Sequence, residues 1–315
     1  LEGSLKLLLT ILLATLAAAP IAAQETTLPA QLTEMLRREQ DGHSPTPDEI
    51  QAVEALPGLA DASVAKSLVP LLTKSLADPD AALRQYSLAM LIGMQSLPDL
   101  TPPPVTPSTP TKPQPPADPA TAAYKPEVAA ALTPLIPAIA ARLTDDDPET
   151  RPLAAAVLGG FAPKPPTSAL DALTSYLRRD NATGPVSLAV INALLQFTPI
   201  TDSAASAISS YLQRQDIPPD TRASLVESIS SKANQNRAIN KTLLLWLDAE
   251  DPNLRARLIV SLPLLDLDHT DFTATKDRIT FLATSQQDPL PVVNAAKSIA
   301  SCWIGIRITR GCPIN

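Results

Sequence analysis

Residues 211–247 read YLQRQDIPPDTRASLVESISSKANQNRAINKTLLLWL, a segment that opens on Tyr211-Leu212 and closes on Trp246-Leu247. The same aromatic–leucine pair stands 35 residues upstream as Tyr176-Leu177 and 35 residues downstream as Phe281-Leu282. The whole chain of 315 residues holds only 4 Tyr, 4 Phe and 2 Trp, so four aromatics in one register mark an internal repeat. A fixed interval between about 20 and 50 residues is the signature of stacked repeats, in which no unit buries its apolar face alone.

Other residues keep the same step. The leucines that end the first helix of each unit are Leu143, Leu177, Leu212, Leu247 and Leu282, at intervals of 34, 35, 35 and 35. A second register, Leu194, Ile229, Leu264 and Ile299, is accompanied four residues earlier by Val190, Leu225, Val260 and Ala295. Residues four apart share one face of a helix. Each unit therefore reads as two amphipathic helices. The turn between them carries Asp78-Pro79, Asp147-Pro148, Asp251-Pro252 and Asp288-Pro289, with degenerate forms at Asp180-Asn181 and Asp216-Ile217-Pro218-Pro219. Asp caps a following helix and Pro suits its first turn. Arg84, Arg151, Arg222 and Arg255 follow these turns.

Leu68-Val69-Pro70-Leu71-Leu72, Leu76, Asp78-Pro79, Leu83-Arg84 and Ala89-Met90-Leu91-Ile92-Gly93 together resemble the HEAT-repeat family, as does Leu135 through Gly159. Prolines inside first helices (Pro70, Pro134, Pro137) also occur in that family, where the helix kinks. The resemblance covers about residues 64–97 and 127–301. It implies an all-α, HEAT-like α-solenoid with arginines paired to turn aspartates between repeats. The third and last units depart from it, with Pro185 and Leu290 at the arginine position.

Composition agrees with helices: 45% of residues are hydrophobic and only 9 are Gly. The net charge of −7 argues against nucleic acid as a partner, because phosphate binding needs a basic face. Residues 1–23 read as a secretory signal: Lys6, the apolar run Leu7 to Leu16, then small residues through Ala23. Cleavage is expected before Gln24, with an Ala17/Ala19 pattern competing. The expected location is periplasmic or secreted, the alternative an inner-membrane anchor formed by Leu5 to Ala23 if uncleaved. No other apolar stretch reads as long enough to span a bilayer.

The 34 prolines concentrate in residues 98–126, read as a linker between the first repeat (64–97) and five more (127–301). Pro104, Pro107, Pro110, Pro113, Pro116 and Pro119 are spaced by three, the step of polyproline II. Residues 24–63 read as a divergent N-terminal helical cap, with a helix start at Thr46-Pro47-Asp48-Glu49. In residues 302–315, Ile304, Ile306 and Ile308 alternate with Gly305, Arg307 and Thr309, a strand pattern. Cys302 and Cys312 are the only cysteines. A disulfide-closed C-terminal tail covering the last unit is expected, with free thiols or an intermolecular bridge as alternatives.

Chemistry is thin by comparison. Tyr176, Tyr211, Trp246 and Phe281 read either as an inter-repeat packing ladder or as an exposed stripe for a partner. Asp266, Asp268, His269 and Asp271 have oxygen-ligand spacing but lack the glycine and distal Glu of a calcium loop; capping acids are the better reading. Asp145-Asp146-Asp147 reads the same way. No nucleophile, phosphate or zinc motif appears, so no catalytic, cofactor or metal residue is expected. The expected function is an exported scaffold for protein–protein interaction, not an enzyme. The alternative is an accessory subunit of an envelope enzyme, or a lyase, since some HEAT-like proteins resemble chromophore lyases.

Overall fold

The computed structural model describes residues 62–95, 123–179, 182, 184–231 and 236–305. Regular structure among them is helical, in two compact units, residues 1–161 and 162–315. The expected signal (1–23), most of the cap (24–63), most of the proline-rich segment and Cys312 lie outside the described residues.

In the first unit, α1 (Ala62–Leu76) buries Val64, Ala65, Leu68, Leu72 and Leu76. The turn after it is closed by Asp80, whose carboxylate accepts the Ala82 N–H at 2.9 Å and starts α2 (Ala81–Gly93). The next pair begins with α3 (Pro126–Leu132) and α4 (Ile136–Ala141), joined by a 3-10 turn at Thr133–Leu135 and followed by another at Arg142–Thr144. Pro134 and Pro137 lack the N–H that an unbroken α ladder needs, and the tighter turn absorbs the defect. Its partner is α5 (Thr150–Gly159). First helix packs on first helix (α1 on α3 and α4), second on second (α2 on α5).

One sequence expectation changes here. Pro126–Thr144 forms one helical run of 19 residues, long and apolar enough to cross a membrane by composition. From the sequence, no apolar stretch outside residues 1–23 was expected to be long enough. Val128, Leu132, Leu135, Ile136, Ile139 and Leu143 are buried within the protein. The two helical pairs of this unit pack directly on each other. Tyr124, inside the expected linker, is buried: its hydroxyl donates to the Leu91 carbonyl at 3.0 Å and its N–H to the Gly160 carbonyl at 2.7 Å. Its ring meets Phe161 edge-on, centroids 5.1 Å apart. Gln95 Nε2 donates to the Ala156 carbonyl at 3.3 Å. A Cβ on Gly160 would lie 2.3 Å from Gln95 Nε2 and 2.9 Å from the Tyr124 ring, so any side chain there would force both to shift. Gln95 and Tyr124 thus meet at the α2–α5 junction, between two directly packed pairs.

The second unit holds four pairs among the described residues: α6 (Thr167–Leu177) with α7 (Gly184–Leu195), α8 (Asp202–Leu212) with α9 (Pro219–Ser231), α10 (Arg237–Leu244) with α11 (Pro252–Ser261), and α12 (His269–Thr284) with α13 (Leu290–Gly305). Short 3-10 turns extend α10 at Leu245–Asp248 and α11 at Leu262–Leu264. First helices stack in the order α6, α8, α10, and second helices in the order α7, α9, α11, α13. Side-chain caps set the starts: Thr201 for α8, Asn236 for α10, Asp251 for α11 and Asp268 for α12.

The core register shifts once. Val260 and Leu264, expected on the buried face, are 38% and 40% exposed, while Leu254, Leu258, Ile259 and Leu262 are buried. The cause is the turn: Asp216-Ile217-Pro218-Pro219 has two residues more than Asp251-Pro252. Helix α11 therefore starts 33 residues after α9, and its buried face moves with it. At the C-terminus, α13 runs on through Gly305, so Trp303 and Ile304 are helical and not part of a strand-like tail. No breaker interrupts the helix before Gly305. Trp303 packs on Phe272 of the same pair, centroids 5.2 Å apart.

Candidate functional site

Three of the four register aromatics are core residues. Tyr176 is 7% exposed, Tyr211 1% and Trp246 6%, whereas Phe281 is 60% exposed. Trp246 Nε1 donates to the Leu212 carbonyl of the preceding pair at 3.1 Å, tying the end of one first helix to the end of the next. Burial pushes the Tyr211 phenol above its ordinary pKa, with the neighbouring Ser187 hydroxyl opposing. The sequence reading missed the arginines laid on these rings. Arg214 lies 5.6 Å over Tyr211, Arg222 5.8 Å over Trp246 and Arg278 5.5 Å over Phe281. One of these pairs was legible as helical i, i+3 neighbours, Arg278 with Phe281 on α12, whereas Arg214 lies past the end of α8.

Beside these rings, two clefts open where successive first helices end. The smaller, about 420 Å³, is lined by Leu177, Arg178, Arg179, Ser210, Tyr211 and Arg214. The larger, about 870 Å³, lies between the turn that precedes α9 and the turn that precedes α11. Its walls include Ile217, Arg222, Leu245, Trp246, Asp248 and Glu250. Arg214 lines both. Its guanidinium is fixed by Asp216 at 2.6 and 2.9 Å and donates to the Arg179 carbonyl at 2.9 Å. That contact with Arg214 holds the Asp216 carboxyl below its ordinary pKa. Arg222 donates to the Gln215 carbonyl at 2.9 Å, closing its own turn.

Arginine–aspartate pairs link successive pairs of helices. In the first unit Arg84 binds Asp145 of the next pair through Nε at 2.9 Å and Nη2 at 2.7 Å, and Arg142 adds a third contact at 2.9 Å. The Arg84 and Asp145 side chains are only 8% and 1% exposed. Arg84 Nη1 also donates to the carbonyls of Asp78 and Pro79 at 2.8 and 2.7 Å. Burial pushes the Asp145 carboxyl up, but the Arg84 hydrogen bonds, the Asp147 N–H and the charges of Arg84 and Arg142 hold it below its ordinary value. In the second unit Arg255 binds Asp288 of the following pair and lowers that carboxyl too.

The acids near residue 268 are engaged locally. Asp268 caps α12, accepting the Asp271 N–H at 2.8 Å; Asp266 pairs with Arg237 at 3.1 Å and Asp271 with Lys241 at 3.4 Å. Among the described residues, no three His, Cys, Asp or Glu side chains come together as metal ligands. Cys302 lies half-buried on α13, and its expected partner Cys312 is outside the described residues.

No protein-family model matches the chain, and no curated protein does. Solved structures do. An engineered protein aligns over 94% of this chain and 77% of its own, at 15% identity and a TM-score of 0.40. A designed armadillo repeat protein in complex with the peptide (KR)4 aligns over 84% of this chain and 96% of its own, at 14% identity and a TM-score of 0.34. The assignment to helical-repeat solenoids rests on the helix stacking within each unit.

Proposed function

We propose that the chain is an exported repeat scaffold of HEAT type that binds another protein and acts by shape, not catalysis. The observation that carries this reading is the order of stacking. First helices lie on first helices and second on second, so the ends of the first helices fall in a row with clefts between them. Clefts of a few hundred Å³ set on a rigid frame suit an extended segment of a partner. On this reading the 35-residue step is the unit of repeat, and the arginine–aspartate pairs keep neighbouring units in register. Residues 1–23 direct the chain to the periplasm or exterior and are removed. Cys302 and Cys312 form one intramolecular bridge.

Photo-crosslinking tests the scaffold. A crosslinker at Ser210 or Glu250, both beside the clefts, is expected to trap the same protein, and one at Lys297 on α13 is not. Equal trapping from all three positions, or from Lys297 alone, overturns the assignment of the clefts. Mass spectrometry of the mature chain is expected to find Gln24 at the N-terminus and no free thiol.

A further inference from the structure

The geometry points to the smaller cleft of the second unit as a carboxylate-binding site that takes acidic peptide segments. The specificity rests on the scaffold reading above. The chain carries a net charge of −7, yet among the described residues this cleft is lined by three arginines and no acid, with Asp216 engaged on Arg214 at its edge: Leu177, Arg178, Arg179, Ser210, Tyr211 and Arg214. Its volume of about 420 Å³ falls within the range of ligand sites.

The three guanidinium groups are held in different ways. Arg214 is prearranged: Asp216 occupies one edge, the Arg179 carbonyl accepts another donor, and the plane lies over Tyr211. A side chain already ordered loses little entropy when a ligand arrives. Arg178 is exposed and, among the described residues, held by a 3.2 Å bond to Ser203 Oγ. Arg179 is exposed, and its guanidinium has no partner among the described residues. Arg178 and Arg179 each offer a planar fork that matches a carboxylate with two parallel hydrogen bonds, whereas the Nε–Nη2 fork of Arg214 is taken by Asp216. The two forks stand side by side at the end of α6. Adjacent forks suit successive carboxylates of an extended peptide better than one compact anion. The larger cleft continues from Arg214 but adds Asp248, Glu250 and Asp251, so the basic end alone selects for acid.

The test uses the full chain and a fluorescein-labelled octaglutamate peptide, read by anisotropy. Binding is expected, weakening as salt rises from about 50 to about 300 mM. Arg178→Glu/Arg179→Glu is expected to weaken it at least about tenfold. Both side chains are exposed, so circular dichroism and melting should be unchanged, and a change there directs the test to Arg179→Ser alone. Asp180→Asn removes the acid next in sequence and is expected to bind no more weakly. Hydrogen-exchange protection by the peptide should fall at residues 177–179 and 210–214. Equal affinity of wild type and variant, protection elsewhere, competition by inorganic phosphate at matched charge, or equal binding of octalysine would each overturn the inference. A partner trapped at Ser210 with no octaglutamate binding sinks the acidic specificity and leaves the scaffold standing. Octaglutamate binding with no trapped partner does the reverse.

Discussion

Replacing Arg84 by Met removes the buried clamp between the two pairs of the first unit while keeping much of the apolar stem. The loss can be worked from the contacts. Asp145, 1% exposed, would keep Arg142 at 2.9 Å and the Asp147 N–H at 3.0 Å but lose both Arg84 bonds. The Asp78 and Pro79 carbonyls would lose their donor as well. Breaking a buried pair by removing one partner costs about 3–5 kcal/mol. The residual Arg142 contact places this case near the lower end, about 3 kcal/mol. Loss of that size lowers the melting temperature of a domain near 100 residues by roughly 10 °C or more. Thermal unfolding with hydrogen exchange at residues 62–95 reads it directly. Arg84→Met/Asp145→Leu is expected to recover most of the loss, because no uncompensated charge is left buried. The sign with pH follows from the lowered pKa of Asp145. Its pairing contributes fully above the ordinary value of 3.8 and is lost as pH falls through the lower folded value. The gap between wild type and Arg84→Met should therefore close below that pH. A single variant within about 1 kcal/mol of wild type at pH 7, or a gap that widens in acid, would falsify the clamp.

Three more outcomes are expected. Replacing residues 97–121 by about six Gly and Ser residues should leave the melting of the first unit unchanged within about 2 °C, since Gln95 and Tyr124 already meet at Gly160; separate melting of α1–α2 from α3–α5 would contradict the direct packing of the two pairs. Gly160→Ala should destabilise that unit by about 1–3 kcal/mol in denaturant titration, and adding Gln95→Ala should recover part of it; a neutral single variant would show that the ring and amide yield freely. Trp246→Phe removes the donor to the Leu212 carbonyl and should cost about 1 kcal/mol in the second unit, whereas Phe281→Ala, exposed, should cost under about 1 kcal/mol; the reverse order would mean that Phe281 is the packed ring.

Helix-pair repetition was legible because a helix face repeats every three to four residues whatever it packs against. The residues that built the 35-residue step are short-range signals: leucines four apart, Asp-Pro at turns, an aromatic before each terminal leucine. The same step misplaced Val260 and Leu264, because the turn before α11 is two residues shorter than the one before α9, so α11 starts early against the 35-residue step. Ile304 was misread for a related reason. Alternation over a few isoleucines looks like a strand until a helix already in progress carries through it.

The sequence by itself determined that the described residues form helix pairs and where most of them lie; Asp251-Pro252 caps its helix as read, whereas Asp80 and not Asp78 starts α2, and no side chain caps α5. Tertiary structure decided which arginine meets which aspartate, that Gln95 and Tyr124 meet at one junction, and that Tyr176, Tyr211 and Trp246 are buried while Phe281 is not. It also decided that Arg178, Arg179 and Arg214, 36 residues from first to last, line one cleft. Periodicity specifies which face of a helix is apolar. What that face and its flanking charges touch depends on the stagger of one helix on the next, which turn length and packing set together.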